Sequence, residues 1–198
     1  EIMDGRVKTL HPIIHGGLLG RRGVDDSIMK KHDIEPIDLL VVNLYPFEET
    51  IANEQSTLSQ AIENIDIGGP AMIRAASKNH DNVVVVVEPK DYDHILEDIK
   101  KGSLTIEKRR SLAVKAYAHT ASYDIAITKY LLKSLDKKDF DSKFLYSGNM
   151  SSNLRYGENP HQAAAFYIDQ QTETGTLATA KQLQGKSLSF NNFADSDA

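Results

Sequence analysis

Three short stretches hold the residues whose types and spacing could do chemistry. In "GRVKT", Arg6 and Lys8 flank Val7. Residues two apart in an extended segment point to the same side, so the two cations can converge on one anion. Thr9 adds a hydroxyl donor, and Gly5 allows close backbone approach. The competing reading is an ordinary solvated basic loop. In "DIGGP", Asp66 precedes Gly68, Gly69 and Pro70. A helix that starts at Pro70 offers free N–H groups to an anion or oxyanion. Asp66 would repel a phosphate there, so it fits either acid/base work or a helix cap. In "VVNLYPF", Asn43 and Tyr45 stand where a strand is stopped by Pro46, and ligands in open α/β folds bind beyond the carboxyl ends of strands. A ring packed under a loop would explain Tyr45 equally well. Lys78 lies at the far end of the helix after Pro70. By position alone it is a structural charge that suits the helix dipole. His11 and His15 of "HPIIH" are spaced for one helix face, but Pro12 and Gly16-Gly17 argue against a helix there. No third ligand is nearby, so no metal site is expected.

These residues need elements to hold them. Ile37–Tyr45 and Val83–Val87 read as buried strands, the second an unbroken "VVVVV" closed by Pro89. Helical spacing recurs over 57–65, from Pro70 onward, from about Asp91 to Gly102, and over 104–135 with Ser103 or Thr105 as cap. Alternating strands and helices imply an α/β fold with a parallel sheet covered on both faces. After Leu135 the pattern changes to a polar, turn-rich linker. The short strand-like pieces "AAAFYI", "TLATAKQLQG" and "LSFNN" follow. A domain boundary is expected near residue 145, giving domains 1–145 and 146–198. The second is too short to bury a core comfortably. The sequence begins inside a loop and stops without tail character, so it reads as cut at both ends.

Composition narrows the partners. The 198 residues carry a net charge of −5, which argues against nucleic acid as the main partner. The longest aliphatic run is far short of the ~20 residues of a membrane span. No charged-then-apolar signal pattern stands at the start, so neither a signal peptide nor a membrane partner is expected. With no cysteine there is no disulfide, thiolate metal site or cysteine nucleophile. The cytoplasm is the default compartment.

"DGRVKTLHP…HGG", "VVNLYPF", "NIDIGGPAMIRAASKNH" and "KAYAHTASYD" occur in an order and spacing that resemble the bifunctional purine-biosynthesis enzymes. Those enzymes are phosphoribosylaminoimidazolecarboxamide formyltransferases and IMP cyclohydrolases. "LRYGENPHQAAAFY" and "LQGKSLSFNN" resemble the opening of their transformylase domain. The resemblance implies a methylglyoxal-synthase-like, Rossmann- or flavodoxin-like three-layer domain, followed by the start of a second, cytidine-deaminase-like α/β domain. It implies two activities. One formylates AICAR, the aminoimidazole carboxamide ribonucleotide, from the co-substrate 10-formyltetrahydrofolate. The other closes formylated FAICAR to IMP and water with no cofactor.

By the same resemblance, Arg6, Val7, Lys8 and Thr9 form the cyclohydrolase nucleotide loop. Val42, Asn43, Tyr45, Asp66, Ile67, Gly68 and Gly69 line its pocket, with Lys78 as proton donor/acceptor beside Asp66, and Lys8 and Tyr45 assisting. Arg155, Tyr156 and His161 belong to the AICAR site. A homodimer is implied for the intact protein. The family's upstream phosphate loop and its downstream transformylase lysine–histidine pair and folate pocket are absent from this sequence, so transformylase activity is not expected of it, and the missing loop bears against cyclohydrolase activity as well. A methylglyoxal-synthase-like sensor of phosphate ligands, without catalysis, is the alternative. Sharing a proton between Asp66 and Lys78 would require Gly68-Gly69-Pro70 to reverse the chain, bringing the two within about 4–6 Å.

Overall fold

The structure is a computed structural model that describes residues 2–3, 6–135, 142–169, 172 and 174–197. Gly5 and the stretch 136–141 of the expected linker lie outside the described residues. The chain divides into two compact units, Glu1–Lys138 and Asp139–Ala198.

The first unit is built on two parallel strands, β1 (Leu39–Val41) and β2 (Val84–Val86), with Leu40 opposite Val85. Before β1 come helices α1 (Pro12–Leu19) and α2 (Asp26–Lys31). Between the strands run α3 (Phe47–Ala52), α4 (Leu58–Glu63) and α5 (Gly68–Lys78). After β2 follow a 3-10 turn at Pro89–Asp91, α6 (Tyr92–Lys101) and the 29-residue α7 (Ile106–Ser134), capped by Thr105. This is the expected α/β arrangement.

Strand alternation sorts the core. Val83, Val85 and Val87 pack with Leu18 of α1, Ile73, Ala75 and Ala76 of α5, and Ala113 and Ala116 of α7. Val84 and Val86 point the other way, against Ile95 of α6, with Leu104 and Leu112. All five valines are buried, as their unbroken run predicts. The other strand departs from expectation. Leu39 and Val41 are 41% and 46% exposed, because the α6 side covers β2 and does not reach them. Phe47, Ala61, Tyr123 and Ala126 form a separate cluster on the later half of α7.

Helix α1 corrects the loop reading of "HPIIHGG". Pro12 occupies the first turn, where no N–H is needed, and His11 accepts the Ile13 N–H at 3.2 Å. The glycines serve packing: a Cβ at Gly17 would sit 2.7 Å from the Glu35 carbonyl oxygen. The end of α1 is tied down by buried Asn79, whose Nδ2 donates to the carbonyls of Leu18 (2.8 Å) and Gly20 (3.0 Å). Asn79→Ala removes the donor from the Leu18 carbonyl, while the Gly20 carbonyl keeps Arg22 Nη1 at 2.8 Å, and should cost about 2 kcal/mol. Thermal unfolding should show a midpoint lowered by roughly 5–10 °C; an unchanged midpoint would mean that α1 is held by packing alone.

The second unit contains an antiparallel pair, β3 (Gly148–Asn153) and β4 (Ala165–Asp169), and helix α8 (Phe190–Asp197). Of the strand-like pieces, only "AAAFYI" contributes a strand. Residues 176–185 form turns and irregular chain, and "LSFNN" runs into α8. The helix is started locally: Asn192 Oδ1 accepts from both the N–H and the hydroxyl of Ser189 at 3.0 Å. Phe166 and Phe193 stack at 4.2 Å, yet no apolar side chain among the unit's described residues is fully buried.

Candidate functional site

A cleft of about 670 Å³ opens in the first unit beyond the carboxyl end of β1. Arg6, Lys8 and Thr9 line one side, Val42, Asn43 and Tyr45 another, and Asp66, Ile67, Gly68 and Gly69 the floor, with Glu63 at the end of α4. Arg6 and Lys8 therefore share a side, as their spacing predicts. Val7 is not in the lining; its N–H bridges back to the Ile2 carbonyl at 3.5 Å, which corrects its expected place in the pocket. Arg6 Nη2 donates to Glu63 Oε1 at 3.1 Å. Both side chains are largely exposed, so this pair is weak and an incoming anion can compete for it.

Asp66 is the best-held group. Its Oδ1 accepts the Gly69 N–H at 2.7 Å and its Oδ2 the Tyr45 N–H at 3.3 Å. Its own N–H donates to the hydroxyl of Tyr123, which in turn donates to the Asn64 carbonyl at 3.1 Å. Burial pushes the Tyr123 hydroxyl above its ordinary pKa, so it stays protonated as that donor. Sequence reasoning misses Tyr123. Its only signal is membership of the "KAYAHTASYD" string, at a helical position indistinguishable from core.

The glycine floor works differently from expectation. Helix α5 starts at Gly68 and includes both glycines and Pro70 in its first turn. The N–H of Gly69 is taken by Asp66 and Pro70 has none, so of this run only Gly68 offers an N–H to an oxyanion. Gly68 also allows contact with the basic loop, since a Cβ there would lie 2.3 Å from Thr9 Oγ1 and 2.8 Å from the Lys8 carbonyl.

Lys78 is not in the cleft. Gly68–Lys78 is one continuous helix, and the chain does not fold back. Ten helical steps set Lys78 roughly 15 Å along the axis from Gly68. Its exposed side chain cannot meet Asp66 of the same molecule. The reason is local: glycines and proline are all tolerated in a first turn, where N–H groups have no intrahelical acceptors, so nothing compels a reversal.

Arg155, Tyr156 and His161 belong to the second unit. The Arg155 guanidinium lies 4.9 Å from the Tyr156 ring centroid, and His161 is exposed. The hollow of about 380 Å³ in that unit is lined by Tyr146, Phe166, Phe190 and Phe193 among others, and by none of the three. Among the described residues there is no cluster of three or more histidines and carboxylates able to hold a metal. No described helix is long and apolar enough to cross a membrane.

An α/β unit with its polar cleft beyond the strand ends is the class that fold and site define. Residues 1–71 match the MGS-like domain. Residues 76–198 match the AICARFT/IMPCHase bienzyme model, and the chain belongs to that family of multifunctional purine-biosynthesis enzymes. Among solved structures it is similar to one titled "Crystal structure of ForH", at 34% identity and a TM-score of 0.58, covering 64% of this chain and 67% of that one.

Proposed function

We propose that the cleft of the first unit closes the ring of FAICAR to give IMP and water, as the cyclohydrolase half of a bienzyme. The observation that carries this reading is the convergence of Arg6, Lys8, Tyr45 and Asp66 on one cleft beyond the sheet. In the reaction the carboxamide nitrogen attacks the formyl carbon and sheds a proton, and the carbinol oxygen departs as water while a second N–H proton is lost. Asp66, fixed by two backbone N–H groups, accepts the proton from nitrogen. Lys8 is the cation placed to stabilise and protonate the departing oxygen. Arg6, released from Glu63, and Thr9 hold the nucleotide's anionic group. Tyr45 and the Val42-Asn43 edge border the base or ribose. No metal or organic cofactor enters these steps.

The AICAR transformylation, with 10-formyltetrahydrofolate as co-substrate and Arg155, Tyr156 and His161 at the AICAR site, is proposed for the complete bienzyme. A cytoplasmic location and a homodimer belong to the same reading. The test is IMP formation from FAICAR, followed by absorbance, alongside calorimetric titration with IMP. Turnover with IMP binding is expected. Binding without turnover would favour the sensor reading, which the MGS-like match also accommodates.

The role of Lys78 is tested by Lys78→Ala. With the lysine remote from its own chain's cleft, IMP affinity should stay within about twofold of wild type. If turnover falls while affinity holds, the lysine serves the cleft of a second chain, and dilution below the dimer's dissociation constant should reproduce the loss.

A further inference from the structure

Asn43 has an amide that can be read in only one orientation. Its Nδ2 reaches the Val87 carbonyl at 3.4 Å, and a carbonyl can only accept, so the NH2 group must face it. That turns Oδ1 toward the Tyr92 hydroxyl, which donates to it at 2.6 Å. Flipping the amide would set Oδ1 against the Val87 oxygen. Two of the amide's four hydrogen-bonding positions are thus used, and one N–H and one lone pair remain for the cleft that Asn43 lines.

Tyr92 is not in the cleft lining, but it is held firmly in place. It is the first residue of α6, directly after Asp91, and Lys115 of α7 donates to Asp91 Oδ2 at 2.6 Å. The same ammonium lies 3.2 Å from Glu88 Oε2, which Lys90 also meets at 2.6 Å. Lys90 first and Lys115 next keep the Glu88 carboxyl below its ordinary pKa against the opposing cost of burial, so the 88–91 turn stays clamped to α7.

We propose that Tyr92 is a positioning residue of the cleft: its hydroxyl, anchored through the Asp91–Lys115 pair, locks the Asn43 carboxamide so that a fixed N–H and a fixed acceptor meet the nucleotide. This rests on the cyclohydrolase reading. Such a paired donor and acceptor suits a ligand group that carries both, as a carboxamide or the cyclic amide of a purine does. Helix α7 then supports the site twice, through Lys115 and Tyr92 on Asn43 and through Tyr123 on Asp66.

The experiment is a double-mutant cycle on IMP affinity, measured by calorimetry with wild type, Tyr92→Phe, Asn43→Ala and the double variant. Tyr92 is 37% exposed, so removing its hydroxyl should leave the thermal midpoint nearly unchanged. Tyr92→Phe should weaken IMP about five- to tenfold, the size of one neutral hydrogen bond. In the Asn43→Ala background it should add nothing. A second readout is the Asn43 side-chain amide signal in a 15N spectrum, assigned by its loss in Asn43→Ala, which should shift in Tyr92→Phe. Wild-type affinity in Tyr92→Phe, penalties that multiply, or an unmoved amide signal would each overturn the proposal while leaving the cyclohydrolase reading intact. Wild-type protein that neither binds IMP nor forms it would sink that reading first, and the positioning role with it.

Discussion

Asp66→Asn should lower the rate of IMP formation by about two to four orders of magnitude, the usual contribution of a positioned acid/base group. The effect has two sources that separate experimentally. An amide has lost the carboxylate's basicity. It also carries an NH2 group where the structure requires two acceptors, because both Oδ1 and Oδ2 receive backbone N–H groups, from Gly69 and Tyr45. Whichever way the substituted amide turned, one donor would face another, so the start of α5 should loosen by about 1–3 kcal/mol. Asp66→Glu retains the basicity and displaces the group by one methylene. If Asp66 moves a proton, the glutamate variant should recover part of the rate. If it only holds the helix start, glutamate and asparagine should be equally poor, and both should lower the thermal midpoint. An asparagine variant within a few-fold of wild type would remove Asp66 from the chemistry.

What can be read from sequence divides along a physical line. Features set by neighbours in the chain are legible: the doubly buried "VVVVV" strand, the Thr105 cap, and the shared side of Arg6 and Lys8 all follow from local periodicity or hydrogen bonding. Features set by what packs from afar are not. Helix α1 forms across two glycines because the 34–37 segment needs their missing Cβ atoms, a demand made by residues well downstream. The exposure of Leu39 and Val41 depends on how far the cover of α6 reaches, which no alternation pattern contains. Tyr123 reaches Asp66 across 57 residues, and Tyr92 reaches Asn43 across 49. Either tyrosine, seen in its own helix, is only a helical residue with a ring. Lys78 shows the converse case within one chain. The family resemblance sets it beside Asp66, while helix geometry, computable from the spacing alone, places it at the opposite end.

The close approach at Gly68 gives the remaining large effect. Gly68→Ala should weaken IMP binding by roughly one to two orders of magnitude, the range expected of overpacking by a single methyl. The added Cβ would lie 2.3 Å from Thr9 Oγ1 and 2.8 Å from the Lys8 carbonyl oxygen, both far inside contact distance. A flexible side chain could swing away, but the Lys8 oxygen is backbone and also accepts the Thr9 hydroxyl at 2.7 Å. Thr9 itself already holds φ at 58°, a left-handed conformation that is uncommon for a threonine, so the loop has little conformational room to yield. The clash is therefore relieved by moving residues 6–9 off the start of α5, and Arg6 and Lys8 leave the cleft together. Global stability should change little, because Thr9 and Gly68 both sit outside the buried clusters. Calorimetry with IMP and thermal unfolding of the same sample separate the two effects. Tight binding retained in Gly68→Ala would show that the basic loop does not need its seat on α5, and the nucleotide would then have to be held from the Asn43 side alone.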